Sequence, residues 1–526
     1  MTSTFFGLEL SQRALNSQQL ALDVTGNNIS NANTAGYTRQ SPILAASTPY
    51  VISGTGRNLS LGSGTDLNTI TRARDAFVDS QFRSETSKQQ YWGAKEDSLT
   101  NAESILNEPS DNSLSNDMSQ FWTAWSDLSN DPQDEGARSV VSERAQELTD
   151  TFHNLSKQVS DQQNNLNSSV NVQITQINTY AQQIGELNQQ IKQAEVAGDN
   201  PNDLRDQRDS IVDNLSKIVN VKVVETKDAS FTDRNVNDYK VIIGNDSPSS
   251  TTNNTLVDGS TVRLLEDPPP TYTSSDAPTD SSIGFSKVVW SDDSTGTSVD
   301  LGTNLGTLQA DLEVRDNYLP SFQGQLDTLA QAIASSVNVV HRTGQGLTAA
   351  TQTDTVTGNT IGIDFFTASD SKVDSTTGLP VVTAATINLN SDIAAQPDKI
   401  ATGVLNTTTI TAGDGTIAQK ISSLSTSWNA LNGLMANPVS GTSLGNYYSA
   451  NVAKLGVDVQ QATRMKAGED VLVTNVTNQR ESLSGVSLDE EMTNLVQYQK
   501  SYAAAARMVT MMDSMFDSII SMGMTK

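Results

Sequence analysis

The chain has 526 residues, no cysteine and a formal net charge of −27. This length accommodates about three or four domains, and without cysteine there is no disulfide, no cysteine zinc site and no thiol catalysis. The negative charge disfavours nucleic acid or an anionic membrane as a partner, because both surfaces would repel the chain. Membrane insertion is not expected either, since no apolar run approaches the roughly 18 residues that a spanning helix needs.

The N-terminal segment, residues 1–55, is predicted to begin with an amphipathic helix. Four apolar residues recur every seven positions, at Leu8, Leu15, Leu22 and Ile29, which is the spacing of a coiled-coil seam. An asparagine-rich motif follows, and because asparagine and glycine tolerate left-handed backbone conformations, it is expected to end the helix and turn the chain. The motif residues are Asn27, Asn28, Asn31, Asn33, Gly36, Tyr37 and Arg39.

Residues 56–222 have the composition and spacing of the first part of a helical core. Apolar residues recur every seven positions from Val170 to Ile191, which predicts a long helix. A glycine- and proline-containing break at 198–203 ends that helix, and Asp203 is expected to cap the next one. The prediction is a helical hairpin.

Two β-rich insertions are predicted to interrupt the helical core. Residues 223–301 contain short β-branched runs between polar clusters, which is typical of strands joined by long loops. Helical spacing returns over 302–347, where Pro320 marks either a kink or the first turn of a second helix. A smaller β-rich insertion is predicted at 348–400, followed by a third part of the helical core at 401–464.

The C-terminal segment, residues 465–526, is predicted to form a coiled-coil helix that pairs with residues 1–55. Two sets of apolar residues recur every seven positions, offset by three, which is an a/d seam. The seam residues are Leu488, Leu495, Tyr498, Tyr502, Val509, Met512, Phe516 and Ile519. The expected fold is therefore mainly α with inserted β domains: terminal coiled-coil helices, an elongated helical bundle core and β-rich outer domains.

Two interpretations of the terminal helices remain open. Burying a seam residue contributes about 1.5–3 kcal/mol at best, whereas ordering each residue of the helix costs about 1–2 kcal/mol in backbone entropy. The ends could therefore be poorly ordered in a free monomer and fold against neighbouring subunits. The alternative is an ordinary helical hairpin within one chain.

No catalytic, cofactor-binding or metal site is predicted. The two histidines, His153 and His341, lie far apart in helical contexts where a structural role is expected, and no metalloprotease, nucleophile-elbow or phosphate-loop motif occurs. Trp122 and Trp125 are expected in the core or at a domain interface. The carboxylates at 489–491 are expected to favour the positive end of the terminal helix dipole.

The motif from Asn27 to Arg39 resembles a segment shared by the axial proteins of the bacterial flagellum: rod, hook and hook-associated proteins. It departs from their pattern at Ala35, where proline is usual, and at Ser30, where alanine is usual. Further blocks spread along the chain resemble the hook-associated protein 1 family. They include residues 72–77, 121–132 with Arg138, 203–209, 315–320 continuing through Asn338, His341 and Gly344, and 484–491.

This resemblance implies a structural protein, exported through the flagellar type III apparatus, that is secreted and forms the junction zone between hook and filament. It implies self-assembly into a helical ring in which both terminal helices build an inner tube. The implied partners are the hook protein, a second junction protein (hook-associated protein 3) and a cytoplasmic export chaperone on the C-terminal segment. The alternatives are another axial protein, of the hook or distal rod, and a wall-degrading enzyme fused to axial termini.

Overall fold

The computed structural model describes ten stretches of the chain. They are residues 6–54, 57–111, 113–232, 234–244, 254–266, 285, 287–293, 298–405, 413–426 and 443–523. Parts of the predicted β-rich domain, at 245–253 and 267–284, and of the third helical part, at 406–412 and 427–442, lie outside this description.

The first helix leads into a β arm that the sequence analysis did not predict. Helix α1 (Phe6–Ser30) is followed by strands β1 (Gln40–Ala46), β2 (Tyr50–Gly54), β3 (Arg57–Leu61) and β4 (Thr65–Arg72). β1 pairs antiparallel with β4, and β2 with β3 between them, so the division expected between residues 55 and 56 falls inside a hairpin. Proline disfavours a strand interior, but Pro42 is tolerated because β1 has a single neighbouring strand.

Four helices form the first part of the helical core. They are α2 (Ala76–Leu106), α3 (Leu114–Asn130), α4 (Glu135–Ala197) and α5 (Asn202–Ile218). The 63 residues of α4 correspond to a length of about 95 Å. Pro201 takes the N-cap position of α5 without a side-chain cap, so the expected capping by Asp203 is wrong. Asp203 instead accepts a hydrogen bond from Gln40 Nε2 at 2.8 Å.

The first β insertion packs against α4. Strands β5 (Val221–Lys227), β6 (Asn237–Ile243), β7 (Thr255–Asp258) and β8 (Thr261–Val262) form an antiparallel sheet in that order, and β9 (Leu265–Glu266) pairs with β10 (Val289–Trp290). The sheet approaches α4 so closely that a Cβ on Gly185 would lie 2.8 Å from Val262 Cγ2. Buried side chains of α4, α5 and this sheet share one hydrophobic cluster.

The helical core resumes with two helices joined by a π-helical segment. Helix α6 (Gly306–Glu313) continues through Val314–Tyr318 in π geometry into α7 (Leu319–His341). Pro320 lies in the first turn of α7, which is the second of the two alternatives considered for it.

The second insertion begins and ends with two strands that pair with each other, and a helix follows it. It comprises β11 (Gly344–Gln345), β12 (Thr351–Thr353), β13 (Thr360–Gly362), β14 (Phe366–Ala368), β15 (Ile387–Leu389), α8 (Ser391–Ala395), a 3-10 turn at Pro397–Lys399 and β16 (Gly403–Val404). β11 at its start pairs with β16 at its end. Helix α9 (Thr416–Ser423) follows.

The last two helices return the chain along the core and then to α1. Helix α10 (Leu444–Ser484) packs along α2, and α11 (Leu488–Gly523) packs on α1. The helical break lies at residues 485–487, so the division expected between residues 464 and 465 falls inside α10. The overall prediction of a mainly α fold with inserted β domains and long terminal helices is confirmed.

An aromatic group forms the centre of the larger hydrophobic cluster, where α3 meets the second insertion. Phe121 lies 5.8 Å from Phe366, and Trp125 lies 5.2 Å from Phe365, between ring centroids. Beside them His341 Nδ1 donates to Ile363 O at 2.7 Å. Its Nε2 accepts from a backbone N–H at 2.9 Å. Burial lowers the pKa of His341 to about 4, so the imidazole is neutral and its role is structural.

Candidate assembly site

The two terminal helices pack antiparallel against each other. At one end a Cβ on Gly7 would lie 2.6 Å from Met512 Cε, so glycine allows α11 to approach α1 closely. At the other end Asn28 Nδ2 donates to Glu491 Oε2 at 3.1 Å. The chain therefore adopts the helical hairpin that was one of the two interpretations of its ends. We refer to α1 and α11 together as the terminal pair.

None of the buried positions of α1 is a leucine: four are polar residues and the other two are Ala21 and Val24. Ser11 and Thr25 are 1% and 2% exposed. Their hydroxyls donate to Gly7 O at 2.8 Å and Ala21 O at 3.0 Å, one turn earlier in the same helix. Because each hydroxyl is satisfied within α1, it can be buried at little cost, and its small size permits close packing.

The predicted seam residues divide into a half-buried and an exposed set. The half-buried residues are Leu8, Leu15, Leu22, Ile29, Leu495, Tyr498, Val509, Met512 and Phe516. The exposed residues are Leu488, Tyr502 and Ile519. On α11 the half-buried residues share a face with Ala505, which is buried, and we refer to this face as the α1-facing seam. α1 therefore covers the predicted C-terminal seam incompletely, both at its two ends and at Tyr502 in its middle.

Asn28, one of the motif residues, is the centre of a hydrogen-bonded clasp. Its amide nitrogen donates to Gln40 O at 2.8 Å and to Glu491. Its amide oxygen accepts from Gln40 N at 3.0 Å and from Tyr37 Oη at 2.8 Å. The side chain thus joins the last turn of α1 to the first strand of the β arm and to the first turn of α11.

Arg39 completes the clasp by contacting residues on both sides of the break between α10 and α11. Its backbone N–H donates to Ser484 O at 2.9 Å, and its Nη1 contacts Glu490 Oε2 at 2.7 Å. The predicted interaction of the carboxylates at 489–491 with the helix dipole was therefore incomplete, since Glu490 and Glu491 also have partners from the motif. We use the term clasp for Asn28, Tyr37, Arg39, Gln40 and Glu491.

The other motif residues shape the turn. α1 ends at Ser30, and Gly36 has a φ of 82°, as predicted. Asn31 Nδ2 donates to Asn27 O at 3.1 Å and to Asn27 Oδ1 at 2.8 Å. Asn33 is exposed. The motif therefore has two parts: a turn that reverses the chain and a set of side chains that connects three segments.

The clasp is attached to the helical core through α5. Thr38 N donates to Asp206 Oδ2 at 3.0 Å, and Gln40 Nε2 donates to Asp203 Oδ1. In the sequence, residues 203–209 stood out by resemblance, and Asp203 also as an expected helix cap. Their carboxylates lie at helical spacing on one face of α5, which is the signal that could have identified them as a contact surface.

Four arginines and four aspartates form a charged cluster beside the clasp. Its members are Arg72, Arg74, Asp79, Arg83, Asp206, Asp209, Asp213 and Arg480. These residues come from the end of β4 and the turn after it, from α2, from α5 and from the end of α10. The cluster therefore holds together the four segments through which the terminal pair meets the core.

The electrostatics of the cluster are favourable because its charges balance. Arg72 Nη1 lies 2.7 Å from Asp206 Oδ1 and 2.8 Å from Asp209 Oδ2, and Arg83 Nε lies 2.7 Å from Asp213 Oδ1. Burial alone would raise the pKa of Asp209, but Arg74, Arg72 and Arg83 hold it below its ordinary value. Asp209 is thus ionised at neutral pH and bound to several cations at once.

Within the stretches that the structure describes, no group of three or more His, Asp or Glu side chains could hold a metal ion. Searched over the same stretches, no helix has the length and hydropathy needed to cross a membrane. The interactions that the site does show are helix packing, hydrogen bonds and ion pairs.

Comparison with known proteins first defines the class of this chain. Two families of flagellar rod proteins match its ends: "Flagella basal body rod protein" matches residues 8–38, and "Flagellar basal body rod FlgEFG protein C-terminal" matches residues 478–522. These two segments contain most of the terminal pair and three of the five clasp residues, Asn28, Tyr37 and Glu491. The chain is thus an axial structural protein of the bacterial flagellum.

The middle of the chain identifies the family. "Flagellar hook-associated protein FlgK helical domain" matches residues 99–366. The chain is 32% identical to flagellar hook-associated protein 1 of Bacillus subtilis, over 99% of both chains. It is 26% identical to the Escherichia coli protein of that name, over 96% of this chain and 98% of that one. The chain belongs to the flagellar hook-associated protein 1 family, whose members are structural proteins of the hook–filament junction.

A solved structure has the same fold. The flagellar hook junction protein FlgK from Burkholderia pseudomallei matches with a TM-score of 0.56 at 16% identity, over 77% of this chain and 100% of that one. The prediction of the family from the motif and the spread of matching blocks is confirmed.

Proposed function

We propose that this chain assembles with copies of itself into the junction zone between the flagellar hook and the filament, and that the terminal pair provides the main contacts between subunits. The junction subunit would be secreted and would function outside the cell. Its role would be mechanical: it would present one surface to the hook and another toward the filament.

The observation that carries this proposal is the incomplete burial of the terminal pair. Of the residues of α11, Glu491 and Ala505 are buried, at 3% and 6% exposure. An apolar helix with so little cover within its own chain is stabilised when neighbouring subunits cover the rest. Copies arranged around an axis would supply that cover, because each terminal pair would have another beside it.

The proposed partners follow from the family and from these surfaces. They are further copies of the chain in a helical ring, the hook protein on one side and a second junction protein, hook-associated protein 3, on the other. A cytoplasmic export chaperone would cover the apolar C-terminal segment before secretion, since an unpaired α11 exposes that surface. Nucleic acid and membrane are not proposed as partners.

We propose no catalytic role. The titratable residues of the site are joined to one another in the clasp and the charged cluster, where they hold segments of the chain together. A wall-degrading activity would require an acidic pair at a cleft. Incubating the full chain with purified peptidoglycan should release no soluble fragments, and release above that of a boiled control would favour the enzyme alternative.

Deletion of the gene in its own host tests the proposed function directly. We expect electron microscopy to show hooks without filaments and flagellin to accumulate in the culture medium, because the filament has no base to grow from. Missing hooks would assign the chain to the rod or the hook. Intact filaments would contradict an axial role altogether.

A charge on the α1-facing seam should separate assembly from folding. Val509 is half-buried between Ala505 and Met512 on the α11 helix, and a buried unpaired carboxylate is costly. We expect Val509→Asp to give hooks without filaments while the purified protein keeps the thermal transition of its core. Ser514→Asp, at an exposed position of the same helix, is the matched control. Normal filaments from Val509→Asp would contradict the role of the terminal pair.

A further inference from the structure

A cavity of about 550 Å³ lies where α4, α5 and the sheet of the first β insertion meet. Its lining comes from the C-terminal end of α4, from Arg208 on α5, from β6 and from the turn between β7 and β8. None of these residues belongs to the clasp, to the charged cluster or to the terminal pair. We refer to it as the Arg208 cavity, and its volume is in the range of small-molecule sites.

Arg208 is a buried cation that its neighbours hold in one orientation. The side chain is 2% exposed, and its guanidinium carbon lies 3.5 Å from the centroid of the Tyr239 ring. Its Nη1 donates to Asn188 Oδ1 at 3.1 Å, and Asn188 Nδ2 donates in turn to Gly259 O at 2.8 Å. The stacking on Tyr239 and the bond to Asn188 together fix the plane of the guanidinium.

Arg208 forms no ion pair with any residue that the structure describes. Its buried Nε also has no hydrogen-bond partner there. The neighbouring Asp209 is close enough for Arg208 to help lower its pKa, but that carboxylate already contacts Arg72, Arg74 and Arg83. Because a buried charge without a partner is costly, an anion bound at Arg208 would be stabilised.

The other cations of the cavity lining are already paired with carboxylates. At distances of 2.8 to 3.0 Å, the pairs are Lys192 with Asp228 and Asp238, and Lys240 with Asp258. Arg208 is thus the lining cation, among the residues described, that is left for a ligand. A single carboxylate matches a single guanidinium, whereas a phosphate dianion would bring a second negative charge close to Asp238 and Asp258.

We infer that the Arg208 cavity binds a small organic molecule through one carboxylate group, which Arg208 holds. The planar guanidinium presents parallel N–H donors to the two oxygens of a carboxylate. Ile191 and Val196 contribute apolar wall for the rest of the ligand. An acidic side chain of another polypeptide has the same chemistry, but the formal net charge of −27 repels acidic chains. The inference does not depend on assembly.

Fluorine NMR of a small probe tests the inference on the full chain. The probe is 4-fluorobenzoate, whose fluorine signal broadens when it binds a large protein, and 4-fluorobenzamide is its uncharged counterpart of the same shape. We expect the benzoate to bind at least tenfold more tightly than the amide, because a hydrogen bond to a charged group contributes at least that factor.

Two pairs of variants locate the binding. Arg208→Gln should weaken binding of 4-fluorobenzoate at least tenfold, and Arg144→Gln, at an arginine that pairs with Glu147 elsewhere on α4, should leave it unchanged.

The second pair does not depend on replacing a buried residue. Gln189 is exposed and lines the cavity, whereas Gln190 is exposed and does not line it. Gln189→Trp should fill the cavity and weaken binding at least tenfold, and Gln190→Trp should not. The thermal transition of each variant shows that it is folded.

Each result decides the inference. Equal binding of the two probes, no binding of 4-fluorobenzoate, or unchanged binding in Gln189→Trp or in folded Arg208→Gln would overturn it. Displacement of the probe by acetate would support a small free carboxylate as the ligand. Displacement by a hexaglutamate peptide and not by acetate would overturn the small-molecule ligand in favour of an acidic polypeptide.

Discussion

The core and the terminal pair are built from similar helices but differ in how completely they are buried. In the larger hydrophobic cluster Phe121, Trp125 and Leu128 are 0% exposed, whereas most of α11 is half-buried or exposed. The core has its apolar surface covered by its own chain, and the terminal pair does not. One chain can therefore combine a fully packed core with a pair of helices whose apolar surface is covered only in part.

The connection between the two regions is polar. The clasp and the charged cluster join them through hydrogen bonds and ion pairs with defined directions. Apolar contacts are non-directional, whereas these bonds fix an orientation. The core can therefore hold the terminal pair at a set angle even while the pair itself is incompletely packed.

Removing Asp209 should have the largest effect, because the core loses the carboxylate that binds three arginines. Asp209→Ala leaves the four arginines of the cluster facing three aspartates, so one buried positive charge is uncompensated, and breaking a buried pair in this way typically costs about 3–5 kcal/mol. The measurement is the free energy of unfolding by urea. Asp199→Ala, at an exposed position, is the control, and equal stabilities of the two variants would contradict the importance of the cluster.

The core should lose stability in mild acid through His341. In the folded chain its pKa is lowered from 6.5 to about 4, so the unfolded chain binds a proton at a higher pH than the folded chain. Stability is therefore lost as the pH falls from about 6.5 to about 4, by up to about 3 kcal/mol.

Thermal unfolding at pH 7 and pH 4.5 measures this loss. His341→Gln should be less stable at pH 7 but should show a smaller further loss on acidification. An identical pH dependence of the two proteins would exclude His341 as its source.

Removing the centre of the clasp should affect the terminal pair and not the core. Asn28→Ala removes four hydrogen bonds of a buried side chain, and leaving such partners unsatisfied costs about 1–3 kcal/mol. We expect faster amide hydrogen exchange in α1 and α11, with exchange in α3 and α4 unchanged. Asn33→Ala is the control because Asn33 is exposed. Uniformly faster exchange throughout the chain would argue against two separable regions.

Two glycine substitutions compare the packing of the terminal pair directly with that of the core, and one of them should have the smallest effect on stability. A Cβ on Gly7 meets the flexible end of Met512, which can move, so Gly7→Ala should change stability by less than about 1 kcal/mol. A Cβ on Gly185 meets Val262 and the backbone of Ser260, so Gly185→Ala should cost about 1–3 kcal/mol. Urea unfolding measures both, and the reverse order would contradict the difference in packing.

Much of the fold was predictable because it depends on local pattern. The seven-residue spacing predicted α4 and α11, and the asparagine-rich motif predicted the end of α1 and the positive φ of Gly36. The same motif was sufficient to suggest the family. In the β arm, β1 and β4 were missed because they pair across the whole length of the arm, as Gln40 does with Arg72, and because Pro42 obscured the local signal.

Local sequence was sufficient to predict the helices, the motif and the family, because helical periodicity and turn chemistry are properties of neighbouring residues. The tertiary structure decided which face of α11 contacts α1, which carboxylates bind Asn28 and Arg39, and which arginines surround Asp209. These contacts join residues up to 463 positions apart in the chain, as for Asn28 and Glu491. A repeated apolar spacing shows that a helix has a partner, but only the packed chain shows which face the partner covers.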